Sequence, residues 1–275
     1  MNAIPDFSMP SHDNVFGRHL SLEALRQQAP AVFAPSAHER VSPKYTFIPS
    51  SRVVEGLMSA GFLPVDARQT RARSMSALHA RHVVRFRRRY ESVSLRDQSI
   101  PELILVNDHS GSASYQLRMG IYRAICSNGM IVSRGAFPTY CVAHRGNVID
   151  EVVARALQVS EQFERLAHQV ERMEQHRMLK DEQLAFAAQA LALRFKGPAE
   201  CGMQPSQLLT CRRVEDAGDN LWVVLNRVQE HLCQGGLTRL SLGGRLTRLR
   251  PIRSIGRDVK LNSQLWDLAT EVLAA

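Results

Sequence analysis

Eight arginines fall between Asp66 and Glu91 with no acidic residue among them: Arg68, Arg71, Arg73, Arg81, Arg85, Arg87, Arg88 and Arg89. A guanidinium pairs bidentately with phosphate and stacks on bases, so arginine at this density, with no lysine in the interval, points to a polyanionic partner. A solvated strand face normally mixes signs, because like charges on neighbouring positions of one face repel. A second concentration runs from Arg239 to Lys260 and contains Arg245, Arg248, Arg250, Arg253 and Arg257, with Asp258 its only acid. It lies beside Gly235-Gly236 and Gly243-Gly244 and reads as a flexible loop that can close on a ligand. Over the whole chain, 35 lysines and arginines face 26 acids, a net charge of +9.

Other residues of suitable type form weaker constellations. Asn107-Asp108-His109-Ser110-Gly111-Ser112 puts a carboxylate, an imidazole and hydroxyls in one segment. Neighbours in sequence seldom face each other with donor and acceptor geometry, so a turn is the first reading, and Asp108 and His109 as a base or metal ligands the second. His79 and His82 are three apart but have no third ligand nearby. Gly243-Gly244 lacks the Walker spacing and its lysine, so nothing supports nucleotide hydrolysis. Cys126, Cys141, Cys201, Cys211 and Cys233 are odd in number and contain no C-x-x-C pair, which argues for reduced, packed thiols. No cofactor is expected.

The elements that must hold these residues follow from periodicity. Within 82–90, Val84, Phe86 and Tyr90 alternate with Val83, Arg85, Arg87 and Arg89, the pattern of a strand with an arginine face. Leu103 to Val106 suits a buried strand, and Tyr115, Leu117, Met119 and Ile121 alternate as a third; Asn107 to Gly111 forms the hairpin loop between them, and Ser127-Asn128-Gly129 signals a tight turn. Upstream, Tyr45-Thr46-Phe47-Ile48-Pro49 reads as a short extended run, with Ser50 and Ser51 as caps for a helix over 52–60. Downstream, Ala156, Val159, Phe163, Leu166, Val170 and Met173 step by three and four along one continuous helix, which packs on its own sheet or forms an oligomer seam through 152–173. Helices follow over 220–232 and 262–273.

The expected fold is α+β: an antiparallel sheet core with a long helix and a helical C-terminal segment. Residues 1–40 read as a flexible N-terminal arm with one short helix over 21–28. Residues 41–149 form a sheet-rich core, 150–197 a long helical region, and 198–275 a helical segment with the basic glycine-rich loop. No stretch has the roughly 20 apolar residues of a membrane span, and no secretory signal pattern is visible, so a cytoplasmic protein is expected.

Four runs, Tyr45-Thr46-Phe47-Ile48-Pro49, Asn107 to Ser112, Cys126-Ser127-Asn128-Gly129 and Leu261-Asn262-Ser263-Gln264-Leu265-Trp266, resemble an uncharacterised family of phage- and plasmid-like proteins, domain of unknown function 932. The family usually has its histidine before the aspartate in the second run, whereas here Asp108 precedes His109. The resemblance implies a prophage or conjugative-plasmid setting and transfers no active site. The order of elements is also similar to that of ring-forming single-strand annealing proteins of phages, a likeness at the level of fold.

The reading that follows is a non-enzymatic nucleic-acid-binding protein favouring single-stranded DNA. Arg68, Arg71, Arg73, Arg81, Arg85, Arg87 and Arg89 would form a phosphate-binding face, Tyr90, Tyr115 or Tyr122 would serve as stacking platforms, and Arg245, Arg248, Arg250 and Arg253 would form a clamp. The alternatives are an anti-defence protein that binds a host protein, and a metal-dependent hydrolase or nuclease centred on Asp108 and His109.

Overall fold

Val84 and Phe86 leave the backbone on one side of a strand, Val83 and Arg85 on the other, and this two-residue period organises the middle of the chain. The computed structural model describes residues 19–42, 45–70, 77–89, 99–111, 114–123, 128–132, 137–143, 147–241 and 243–274. Helices α1 (Leu22–Gln28) and α2 (Ser50–Ser59) precede the sheet. Strands β1 (Phe62–Gln69), β2 (His82–Arg88), β3 (Ser99–Asn107) and β4 (Tyr115–Arg123) form an antiparallel meander. Two short strands, β5 (Asn128–Ile131) and β6 (Tyr140–Val142), share the far edge of β4. Then come α3 (Val148–Ser160), α4 (Phe163–Gln175), α5 (Lys180–Arg194) and α6 (Leu221–Gln234). The hairpin β7 (Thr238–Leu240) and β8 (Leu246–Arg248) leads into α7 (Ile255–Ala274). The architecture is the α+β fold that the periodicity predicts.

Both faces of the sheet are covered. Val84, Phe86, Leu103, Leu105, Leu117 and Met119 enter the main core with residues of α1 to α4. On the opposite face Val83, Ile104, Val106 and Ile131 form a smaller cluster with Ile255 and Val259 from the start of α7. The rest of α7 packs with α4, α5 and α6, where the rings of Trp222 and Trp266 meet edge to face at 6.4 Å.

Four expectations about local structure change. The 19–40 part of the supposed arm is built into the core: Ser21 caps α1 by accepting from the Ala24 amide, Leu25, Ala29 and Val32 are buried, and the Leu20 amide donates to the Pro64 carbonyl. The continuous helix breaks at Glu161-Gln162, where the Ser160 hydroxyl donates back to the Leu157 carbonyl and bends the chain. Ala156, Val159, Phe163, Leu166, Val170 and Met173 are all buried in the chain's own core, so the stripe proposed as an oligomer seam is already occupied. The glycine-punctuated basic loop is a two-stranded hairpin closed at its base, where the Gly236 amide donates to the Leu249 carbonyl and the Leu249 amide to the Leu237 carbonyl.

Candidate functional site

The arginine face of β2 is not a solvent face. Glu102 on β3 accepts from Arg85 Nε at 2.5 Å and from Arg87 Nε at 2.9 Å, so one carboxylate serves two guanidiniums. Arg85 is 5% exposed and Glu102 fully buried. Burial opposes the Arg85 charge, yet the adjacent Glu102 carboxylate more than offsets it and holds the group protonated. Arg85 also donates to the carbonyls of Gly129 and Met130, and a Cβ at position 129 would sit 2.6 Å from its guanidinium carbon. Gly129, expected in a tight turn, therefore lies in β5 and leaves room for Arg85. Arg87 covers the Tyr122 ring at 4.5 Å.

Three other arginines of the first interval are also engaged. Arg68 pairs with Asp258 in α7, and Arg81 pairs with Asp108 at 3.1 Å. Arg88 donates to the Ser160 hydroxyl, while Arg89 is exposed at the end of the strand. Arg71, Arg73 and Tyr90 lie outside the described residues. Tyr115 is buried with its hydroxyl donating to the Ile48 carbonyl at 2.7 Å, so it offers no ring for stacking. The continuous phosphate-binding face expected from the alternation is thus replaced by ion pairs whose acids arrive from other elements.

The second arginine set has the opposite character. Arg245, Arg248, Arg250, Arg253, Arg257 and Lys260 are exposed, and among the described residues none has a carboxylate within ion-pair distance. Arg239 is held differently, donating to the Glu200 carbonyl and lying over the Phe195 ring. The hairpin is braced against the body by the Leu240 amide, which donates to the Gly202 carbonyl at 2.8 Å, and by Gln207 Nε2, which donates to the Thr238 carbonyl at 2.9 Å. At Gly202, with φ +60°, any side chain would run into the Leu240 backbone. The two arginine sets meet at the start of α7, where Asp258 takes Arg68 and a Cβ on Gly256 would touch Arg81.

A buried polar centre lies at the opposite end of β2. His82 Nδ1 is 3.0 Å from the Ala80 carbonyl, which can only accept, so Nδ1 carries the proton and Nε2 is bare. The Ser50 hydroxyl, 2.8 Å away, donates to that Nε2. Ser50 Oγ in turn accepts from Asn107 Nδ2 at 3.0 Å and from His109 Nε2 at 3.2 Å. Burial lowers the His82 pKa to about 4, against smaller opposing effects of the Ala80 hydrogen bond and Asp108. A hydroxyl donating to a neutral imidazole resembles an activated nucleophile, but Ser50, His82 and His109 are each 0% exposed and the Ser50 oxygen is already occupied by two donors. Asp108 is committed to Arg81 and to the Ser110 amide and hydroxyl in a local turn. Ser50, expected as a helix cap, is the first residue of α2 and turns its side chain inward to this centre. His79 points elsewhere, to the Ser36 carbonyl, and among the described residues no three potential metal ligands cluster.

The model of a family described as a domain of unknown function, DUF932, matches residues 37–266. The chain belongs to this family. It is 36% identical over 257 residues to the UPF0380 protein YfjQ of Escherichia coli K12, covering 93% of this chain and 92% of that one. It is 35% identical over the same span and shares to the UPF0380 protein YafZ of the same strain. No solved structure matches.

In this DUF932 chain, the described residues of the four family-like runs make joints between elements. Phe47 packs edge to face on His109 at 5.1 Å, linking the first run to the second. Gly129 admits Arg85, and Asn262 donates to Asp258 while accepting from Gln229 at 2.9 Å. Glu102, Ser50 and Asp258 were not singled out by type and spacing. Glu102 did leave a signal: it is the lone charge in the apolar stretch Ile100 to Val106, where a buried carboxylate requires a cation. Ser50 and Asp258 left none, because their partners are distant in sequence.

No helix among the described residues is long and apolar enough to cross a membrane. Among the described cysteines, Cys141, Cys201, Cys211 and Cys233 are free, and burial pushes the Cys233 thiol up, away from reactivity.

Proposed function

We propose that the chain holds nucleic acid without acting as an enzyme, favouring single-stranded DNA, and that the contact surface is the β7–β8 hairpin with the segment leading into α7. Arg245, Arg248, Arg250 and Arg253 are the phosphate contacts, supported by Arg257 and Lys260. The observation that carries this reading is their exposure without a carboxylate partner among the described residues, in a chain whose sheet arginines are nearly all engaged. Arginine suits the task, since its fork matches phosphate and its plane stacks on bases. We read the setting as a mobile genetic element, from the resemblance of the four runs to phage- and plasmid-like proteins, and the compartment as the cytoplasm.

Titrating labelled single-stranded oligonucleotides across salt tests the proposal. Four phosphate contacts give a log-log slope near −2.8, on the order of 0.7 per contact. Changing Arg245, Arg248 and Arg250 together to glutamine should bring the slope to about −0.7. A flat slope for the unaltered protein, or an unchanged one for the triple variant, removes the proposal. Partners recovered from nuclease-treated host lysate in place of oligonucleotide binding would favour an anti-defence role on the same surface.

A further inference from the structure

The hairpin carries an apolar feature that phosphate binding leaves unused. Leu240 and Leu246 are directly paired across β7 and β8, and they are 50% and 76% exposed. Side chains alternate along a strand, so Thr238, Leu240, Leu246 and Arg248 share one face while Arg239 and Thr247 share the other. Arg239 turns inward, to Phe195 and the Glu200 carbonyl, so its face is the one that rests on the body. The leucine face therefore looks away from the body, with Arg245 next to Leu246 in sequence and Arg248 beside it on the same face.

The hairpin is positioned to present this pair. Its backbone is fixed to Gly202 and to Gln207, and its tip is closed by the Ser241 amide donating to the Arg245 carbonyl and the Arg245 amide donating to the Ser241 hydroxyl. Other strongly exposed apolar residues, Leu179 and Val214, are not in this arrangement of paired apolar side chains flanked by unpaired cations.

Resting on the nucleic-acid reading, we propose that Leu240 and Leu246 form a wedge that packs against unstacked bases of a single strand while Arg245, Arg248, Arg250 and Arg253 hold its phosphates. Charge complementarity selects the occupant: a strand of nucleic acid offers regularly spaced anions together with flat apolar faces, matching cations that surround an apolar pair. Aliphatic wedges separate stacked bases in duplexes at the cost of unstacking, and a single strand has less stacking to lose. The planar guanidiniums add stacking that a lysine-based membrane contact would not require. The consequence is a protein that opens base stacks as it binds, in place of one that only coats the backbone.

A single-stranded oligonucleotide with 2-aminopurine at an internal position tests the wedge, because its fluorescence rises when neighbouring bases unstack. The unaltered protein should raise the signal as it binds. The double variant Leu240→Ala and Leu246→Ala should keep the salt slope, bind roughly five- to tenfold more weakly, and lose the rise. Both leucines are exposed, so the variant should melt at the same temperature, measured by circular dichroism. Retention of the fluorescence rise and affinity in the double variant overturns the wedge while leaving phosphate binding in place. Absence of any salt-dependent binding by the unaltered protein overturns both. Loss of binding to anionic phosphatidylserine vesicles in the double variant, with oligonucleotide binding unchanged, also overturns the wedge and assigns the leucines to a lipid surface.

Discussion

Arg85 and Arg87 on β2 and Arg248 and Arg250 after β7 have the same two-residue spacing, yet the first pair shares one buried carboxylate and the second faces water without one. The difference lies in what the other face of each strand pair meets. β2 is inside a sheet covered on both sides, so a charge there must bring its counter-charge with it or lose several kcal/mol to desolvation. The hairpin is a two-stranded ribbon at the surface, where a guanidinium stays hydrated and available. A run of arginines therefore reports a binding surface only where the fold leaves it uncovered.

The largest expected effect breaks the buried side. Glu102→Gln leaves two guanidiniums without their shared anion and should lower stability by about 3–5 kcal/mol, measured by urea denaturation. A loss below about 1 kcal/mol would mean that Arg85 and Arg87 are as well solvated as the hairpin arginines, and the comparison would collapse.

Acid should distinguish the two regions next. Burial lowers the His82 pKa from its ordinary 6.5 to about 4 in the folded chain, so between these values the unfolded chain holds a proton that the folded chain lacks. Its contribution to stability is intact above pH 6.5 and declines as pH falls toward 4, by roughly 3 kcal/mol in total. Melting temperature followed over that range should fall, and the acid-dependent part should shrink in a His82→Gln variant. Salt-dependent oligonucleotide binding, which depends on arginines, should change little over the upper part of the same range.

Gly129→Ala sharpens the steric part of the comparison. The added methyl enters the space of the Arg85 guanidinium, and about 1–3 kcal/mol should be lost on thermal or urea unfolding. The smallest effect on stability belongs to the hairpin: glutamine at Arg245, Arg248 and Arg250 should change unfolding free energy by no more than about 0.5 kcal/mol, even as it cuts the salt slope of binding to about −0.7.

Much of the scaffold was legible before the fold was known. Val84 and Phe86, and Leu117 and Met119, alternate as half-strands do, and both pairs point into the main core. Asn220 precedes an apolar three-and-four spacing, and its side chain accepts from the Val223 amide at the start of α6. The candidate site was legible only in part. Arg245, Arg248, Arg250 and Arg253 emerged from charge density and are exposed, whereas Arg85 and Arg87 emerged from the same signal and are buried and half-buried, both on Glu102. Adjacency also misled at Ser50, which looked like a cap because helix caps are local, while its hydroxyl binds His82 from β2 and His109 from the turn after β3.

Sequence alone determined the period of each element, the class of fold and the sum of the charge, because side-chain direction repeats locally every two or every 3.6 residues. Tertiary structure decided which charges are spent within the molecule. Glu102 reaches Arg85 from the neighbouring strand and Asp258 reaches Arg68 from the C-terminal helix. Coulombic pairing depends on distance in space, and no local pattern in the chain encodes a partner that arrives 190 residues later.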